Sequence, residues 1–286
     1  MANLKEIRNR ISSVSSTMQI TSAMKMVSAA KLKKAQDAIT AMRPYANKLT
    51  ELLQSLSASL DSDTGSTYAT NRAINKVLVV AITSNRGLCG AFNTNIIKQS
   101  TTLADETFKG KQVHFMAIGK KANDILGKKG TIASNHSDVF DQLTFENVAV
   151  IAEELMQLFK NGSYDRIELV YNKFKNAATQ IVITEQFLPI VPAENAQGSS
   201  TDYIFEPSQV DIVEQLIPKS LKTQLYKAIR DSFASEHGAR MTAMHKATDN
   251  ATELRDQLKL TYNQARQAAI TNEILEIVGG AEALNN

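Results

Sequence analysis

The first chemistry to test in this sequence is nucleotide binding, because a glycine-bearing loop directly follows an apolar run. The run is KVLVVAIT, and the loop after it reads SNRGLCGAFN from Ser84 to Asn93. The glycines, Gly87 and Gly90, have neither the spacing of a dinucleotide fingerprint nor the Gly-Lys-Ser/Thr of a phosphate loop. Two interpretations stay open: a tight strand-to-helix turn that needs both glycines, or a backbone anion site assisted by Arg86.

The other candidates for catalysis are one thiol and four histidines. Cys89 has no histidine near it in sequence, so we interpret it as a small packed thiol and not as a nucleophile. As the only cysteine it excludes an internal disulfide. The histidines lack metal-ligand spacing; they are His114, His136, His237 and His245. These residues therefore mark no active site, and the sequence predicts no cofactor and no metal.

Two long helices frame these residues. Asn3 to Leu60 contains no glycine and one proline, and an apolar or small residue recurs every three to four positions. A second such segment runs from Pro218 to Leu284, and Pro218 in its opening turns is expected to break off a short leading piece. Neither helix can bury its own apolar stripe, so each is predicted to pack on the other.

The spacing of the apolar residues predicts a left-handed coiled coil with a thin seam. Many seam positions are Ala, Ser, Thr or Met, which allow close approach but bury less apolar surface than a leucine zipper. A plain spacer arm between domains is the alternative interpretation. The predicted seam residues are Leu4, Ile7, Ile11, Val14 and Met18 on the first helix and Met241, Met244, Ala251, Leu254, Leu258 and Ala265 on the second.

Between the helices, apolar β-branched runs alternate with amphipathic segments. This order predicts a Rossmann-like α/β domain with a largely parallel sheet, and the short link at 175–179 predicts that the last two strands are an antiparallel hairpin. The predicted strands are 76–83, 113–119, 166–174 and 180–188, and the predicted helices are 91–106, 120–129 and 145–160. The predicted domains are an N-terminal coiled-coil helix 1–60, a linker 61–75, the α/β domain 76–190, a linker 191–207 and a C-terminal coiled-coil helix 208–286.

Charge is unevenly distributed along the chain. The net charge is +3, yet residues 1–50 hold nine Lys or Arg against two acids, including the cluster Lys31, Lys33 and Lys34. Such a helix has either a solvated basic face or an acidic partner. Nucleic acid is disfavoured as the partner because no aromatic residue interleaves with the cluster. No run approaches the roughly 20 apolar residues of a membrane span and no signal sequence is evident, which predicts a soluble chain.

Four segments resemble the gamma subunit of F-type ATP synthases, and they occur in the same order from the first residues to the last. The last segment carries the most specific pattern, Ile270-Thr271, Glu273, Glu276 and Gly280-Ala281. The segments are ITSAMKMVSAAKLKKAQ at 20–36, TSNRGLCGAFN at 83–93, SEHGARMTAMHKATDN at 235–250 and ARQAAITNEILEIVGGAEA at 265–283.

The resemblance implies the non-catalytic rotor shaft of a proton-transporting ATP synthase. Its paired helices would enter a ring of three alpha and three beta subunits, and its α/β domain would sit on the membrane c-ring beside the epsilon subunit. It would couple proton flow to ATP synthesis, regulate ATPase activity, and be peripheral at the cytoplasmic face of the plasma membrane. Unlike chloroplast members it lacks an inserted segment with a cysteine pair, which favours a bacterial origin.

The resemblance also implies contacts with the catch loops of the beta subunits. The residues at matching positions are Arg266, Gln267, Thr271 and Glu273 on the last helix, Met24 and Lys25 on the first, Arg240 lower on the last helix, and Arg86 and Cys89 on the loop. Two functions of other classes stay open. One is a nucleotide-dependent α/β enzyme with a coiled-coil arm, and the other is a basic coiled coil that binds nucleic acid.

Overall fold

The computed structural model describes residues 4–57, Tyr68, 72–190 and 209–284. The chain divides into two compact units: the helical-pair unit, Met1–Ser28 with Met241–Asn286, and the sheet unit, Ala29–Arg240. In the part of the chain that is described, no helix combines the length and apolar character of a membrane span. The elements are α1 Leu4–Ser57, β1 Lys76–Ile82, α2 Phe92–Thr102, β2 Gln112–Ile118, α3 Lys120–Leu126, β3 Ile132–Asn135, α4 Phe145–Lys160, β4 Arg166–Phe174, β5 Gln180–Leu188 and α5 Gln209–Leu284.

In the helical-pair unit, α1 and α5 run antiparallel. Arg8 donates to Tyr262 at 2.8 Å, and Thr248 donates to Thr21 at 2.8 Å, so rising numbers on one helix meet falling numbers on the other. Buried and half-buried side chains recur in alternating steps of three and four, the repeat of a coiled coil. They lie at positions 7, 11, 14, 18, 21, 25 and 28 of α1 and at 241, 244, 248, 251, 255, 258, 262 and 265 of α5.

One predicted seam residue is wrong. Leu254 is 47% exposed, and the seam position falls on Arg255, whose side chain is 24% exposed and donates to Met18 Sδ at 3.5 Å. Thr248, a polar residue outside the predicted seam, occupies another seam position. Apolar type alone misplaced the seam because an arginine stem and a hydrogen-bonded hydroxyl can line it as well as an alkyl group can.

The sheet unit contains one five-stranded sheet in the order β3-β2-β1-β4-β5. The pairs β1–β2, β1–β4 and β2–β3 are parallel, and β5 is antiparallel to β4. The predicted α/β fold and the hairpin are therefore confirmed. The edge strand β3 was not predicted, because Ile132–Asn135 is short and half-polar and carries no apolar run.

Two apolar cores lie on opposite faces of the sheet. Helix α4 covers one face, and its N-cap Thr144 accepts from the backbone N–H of Asn147 at 3.3 Å. The side chains of α4 at 148, 151, 152, 155 and 159 are buried at helical spacing, together with those of α5 at 217, 221 and 225. Helices α2 and α3 cover the other face, with Phe92, Ile96 and Leu126 buried there. Both faces of the parallel strands are thus apolar, which explains their unbroken hydrophobic sequences.

Helix α5 runs unbroken through Pro218, so the expected short leading piece is wrong. Proline removes one intrahelical hydrogen bond, but its neighbours Ile217 and Leu221 are 5% and 2% exposed in the core and hold the helix against the sheet. The predicted linker 191–207 and residues 58–60 of the predicted first helix lie outside the described residues. The five-segment domain division stays a prediction.

Candidate functional site

Helix α5 occupies the carboxyl edge of the sheet where the strand order changes direction, between β1 and β4. Doubly wound sheets bind their ligands in the crevice at this point. Here Ser232 Oγ donates to Ile82 O at 3.4 Å, and Ser235 Oγ donates to Asn172 O at 3.0 Å. The place where related architectures hold a nucleotide is filled by a helix of the same chain.

The loop from Ser84 to Asn93 is closed by its own hydrogen bonds. The backbone N–H of Ser84 donates to Asn93 Oδ1 at 2.9 Å, and Ser84 Oγ donates to Arg86 O at 2.5 Å. Asn85 ties the loop to its neighbours, accepting from the N–H of Lys120 at 2.9 Å and donating to Ser137 O at 2.7 Å. These inward bonds make the loop a packed turn.

Only one of the two glycines is required by the backbone. Gly90 has φ +59, whereas Gly87 lies outside the left-handed region and a Cβ there would meet nothing within 4 Å. The second left-handed residue is Leu88, with φ 62. The expectation that the turn needs both glycines is therefore wrong for Gly87. Residue propensities could not reveal the conformation of Leu88, because the left-handed region costs a leucine about 1–2 kcal/mol. The rest of the loop holds Leu88 in that region.

Thr83, at the start of this loop, is expected to be a stability determinant. Its buried hydroxyl accepts from the N–H of Ala122 at 2.9 Å and faces Gly119 O at 3.3 Å. Thr83→Val keeps the shape but leaves the Ala122 N–H unpaired and removes one of the two hydrogen bonds to Gly119 O, so the free energy of unfolding should fall by about 1–3 kcal/mol. Urea unfolding measures it. Thr101→Val is the matched control, because that hydroxyl bonds only Ile97 O of its own helix; an equal loss there would contradict the assignment.

Beside the loop lies a buried ion pair on α5. Arg240 Nη1 donates to Glu236 Oε1 at 2.5 Å, and the two side chains are 9% and 11% exposed. The remaining guanidinium N–H groups donate to Gly87 O at 3.2 Å and to Arg86 O at 3.3 Å. Burial raises the pKa of Glu236, while the charge of Arg240 opposes that shift. The pair therefore holds the loop backbone onto the helix.

Cys89 lies beneath the loop surface, 2% exposed, with Asn93 Nδ2 3.2 Å from its sulfur. Burial raises the pKa of the thiol, so no thiolate is favoured and the interpretation as a packed thiol fits. The exposed residues of the loop are Arg86, Gly87, Leu88, Gly90 and Ala91. A partner would thus contact the exposed loop residues around Cys89 and not its buried thiol.

His237 is a buried base next to this cluster. Its ring packs edge-on to Phe233 at 4.5 Å between centroids, and neither ring nitrogen has a hydrogen-bond partner within the described part of the protein. Burial, with the charges of Arg240 and Lys31, lowers its pKa from 6.5 to about 4. The imidazole is therefore neutral in the folded chain at pH 7.

This pKa predicts a stability loss in acid. Between pH 6.5 and about 4 only the unfolded chain binds the proton of His237, so stability falls as pH falls, and below about 4 the loss levels off. The full shift corresponds to about 3 kcal/mol. His237→Phe should remove this dependence. The check is the difference in unfolding free energy between the two proteins at pH 7 and pH 4, and a difference independent of pH would contradict the assignment.

In the helical-pair unit, the predicted contact residues of α5 are solvent-exposed. Arg266, Gln267, Thr271 and Glu273 all lie on the surface, and every residue from 266 to 281 is exposed. Within this stretch five large apolar side chains are 49–66% exposed, an unusual concentration for water-facing helix. Sequence periodicity could not find them as a separate group, because only the exposures distinguish them from seam residues. They are Ile270, Ile274, Leu275, Ile277 and Val278.

The nine predicted contact residues thus fall into three places, and the exposed part of α5 just described is the first. Arg86, Cys89 and Arg240 meet at the loop, through the Arg240 guanidinium and the Arg86 carbonyl. Met24 and Lys25 are half-buried on α1 of the helical-pair unit. The antiparallel pairing of Thr21 with Thr248 puts Met24 roughly 20 residues of α5, or about 30 Å, below Arg266. Glu236, which the resemblance places beside Arg240 on the last helix, belongs to the same buried polar group, and Asp231 and His237 complete it without having been predicted as contacts.

Comparison with known proteins decides the family. The family described as ATP synthase matches residues 3–284. The ATP synthase gamma chain of Flavobacterium johnsoniae is 73% identical over 286 residues, covering 100% of each chain. That of Flavobacterium psychrophilum is 75% identical over 285 residues, covering 99% of each. The chain belongs to the gamma-chain family of ATP synthases. The resemblance carried by the four sequence segments is confirmed.

Solved structures of ATP synthases show the same fold as this gamma chain. A chain of the Euglena gracilis mitochondrial enzyme, solved as OSCP, F1 and c-ring, superposes with a TM-score of 0.71 at 23% identity, covering 98% of this chain and 94% of that one. A chain of the Tetrahymena thermophila central stalk and c-ring has a TM-score of 0.59 at 25% identity, covering 80% and 99%. This chain therefore shares its fold with chains of both enzymes.

Proposed function

We propose that this gamma subunit is the rotor shaft of the central stalk and takes no part in the chemistry of ATP. The observation that carries the proposal is the exposed stretch of α5 from 266 to 281, with its five large apolar side chains. Such a helix needs a protein sleeve to bury its apolar surface. A ring of alpha and beta subunits would supply it.

The remaining partners follow from the same assignment. The sheet unit would stand on the membrane c-ring with the epsilon subunit beside it, at the cytoplasmic face of the plasma membrane. Proton-driven turning of the ring would rotate the shaft, couple proton flow to ATP synthesis, and let shaft and epsilon together regulate ATPase activity. The filled crevice at the sheet edge supports a subunit that leaves nucleotide chemistry to its partners.

The catch-loop contacts are proposed at the nine residues of the three places described above. Arg266 and Gln267, both exposed on α5, are the foremost of them. The exposed Lys31, Lys33 and Lys34 give α1 a basic surface that suits acidic loops on the beta subunits. Reversing these three charges should weaken assembly or coupling, and unchanged proton-coupled synthesis would count against the contact.

A truncation tests the function. The complex is purified with the full chain and with a chain ending at Gln264, and both co-isolation with the alpha-beta hexamer and proton-coupled ATP synthesis are measured. The full chain should co-isolate and couple, whereas the shortened chain should lose coupling. Recovery of the full chain apart from any hexamer, or wild-type synthesis by the shortened chain, would overturn the proposal.

A further inference from the structure

Burial along α5 changes sharply from one segment to another. Nine of the ten residues from Asp231 to Arg240 are buried, and the tenth, Phe233, is half-buried. A helix packed against a single partner keeps a polar face toward water. This segment has no such face, so neighbouring elements of the sheet unit surround it.

The surrounding contacts are directional. Asp231 accepts from Arg43 of α1 at 3.4 Å, and the same guanidinium donates to Phe174 O at the end of β4 at 3.2 Å. The serine hydroxyls at 232 and 235 bond to carbonyls at the ends of β1 and β4, and Arg240 bonds the loop that follows β1. Four different parts of the sheet unit are thus tied to ten residues of helix.

A steric contact adds to these bonds. A Cβ built on Gly238 would lie 3.1 Å from Ala177 O, in the turn between β4 and β5. The hairpin therefore rests directly on the backbone of α5, and the missing side chain lets it do so. By contrast, a Cβ on Gly279 of the same helix would meet nothing within 4 Å.

These contacts point in different directions around the helix axis. At about 100° per residue, positions 238, 231, 235, 232 and 240 follow one another around roughly 200° of the circumference. Apolar packing alone tolerates small rotations because it is non-directional. Hydrogen bonds on several sides do not, since a roll of the helix would break them together.

We propose that residues 231–240 of α5 are the joint through which the sheet unit turns the helix. This inference rests on the proposed rotor function. Helix α5 is continuous from Gln209 to Leu284, so residues 231–240 belong to the same helix as the exposed stretch 266–281. Ser232, Ser235 and Gly238 are positioning residues in it: they resist rolling of the helix against the sheet.

The test uses the whole membrane complex carrying the triple variant Ser232→Ala, Ser235→Ala and Gly238→Ala. Proton-driven ATP synthesis applies torque to the contacts of residues 231–240, whereas ATP hydrolysis by the detergent-decoupled complex does not. The variant removes two hydrogen bonds to the sheet unit and adds a Cβ 3.1 Å from Ala177 O, so these contacts should give way when torque is applied. Synthesis should fall at least about fivefold, while decoupled hydrolysis and subunit composition stay at the wild-type level.

The matched control is Thr252→Ala with Thr261→Ala. These hydroxyls bond carbonyl oxygens of their own helix, Thr248 O at 2.9 Å and Gln257 O at 3.1 Å. The control complex should synthesise ATP at the wild-type rate.

Two results would overturn the proposal that residues 231–240 are the joint. One is unchanged synthesis by an intact triple variant. The other is a parallel loss of synthesis, hydrolysis and assembly, which would mean that the residues only maintain the fold. If the wild-type chain does not co-isolate with the hexamer, the rotor function itself fails, so the two failures are distinguishable.

Discussion

Arg240→Met is expected to lower the free energy of unfolding by about 3–5 kcal/mol, one of the two largest effects anticipated for a change in this chain. The substitution leaves the carboxylate of Glu236 buried without its cation and removes the donors to the carbonyls of Arg86 and Gly87. Urea unfolding of the purified chain measures the loss. The loop should also loosen, which hydrogen exchange at Leu88 and Cys89 can follow.

Two further variants separate the buried charge from the missing contacts. Arg240→Met combined with Glu236→Gln removes both charges, so it should be less destabilising than the single change. Arg10→Met is the matched control, because its pairing with Glu6 has the same i, i+4 spacing but exposures of 66% and 56%. It should cost less than about 1 kcal/mol. A double variant as unstable as Arg240→Met would show that the stranded carboxylate is not the cause.

Ile274→Asp with Ile277→Asp is expected to abolish coupling while leaving the isolated chain folded. The side chains are 55% and 66% exposed, so the charges remain in water in the free subunit. In the complex they would enter an apolar sleeve, where an unpaired carboxylate costs several kcal/mol. Recovery of the alpha-beta-gamma complex should fall more than about tenfold, as measured by co-purification.

Val150→Asp provides the control for a surface charge. Val150 lies on α4 and is 65% exposed, so it matches the two isoleucines in type and exposure but lies outside the proposed sleeve contact. It should leave assembly unchanged, and thermal unfolding of the isolated chain should be alike for all the variants. Normal assembly of the double aspartate variant would contradict burial of this stretch of α5 in a ring.

Elements that depend on local pattern were predictable. Helix α4 was predicted at 145–160, where the structure has it, because its apolar residues keep one helical period. Strand β3 escaped prediction because its four residues are held by pairing with β2, a tertiary contact, and not by an apolar sequence. Leu254 was misplaced in the seam for a similar reason, since the path of the partner helix decides which side faces it.

The sequence by itself determined the two long helices, the parallel α/β unit and the gamma-chain family, because periodicity and ordered motifs are written along the chain. Only the tertiary structure decided that α5 fills the crevice of the sheet and that Arg240 holds the loop at Gly87. Those two residues are 153 positions apart. No local pattern encodes such a meeting. It follows from how the sheet, the loop and the last helix pack, and that packing sets which charges are buried.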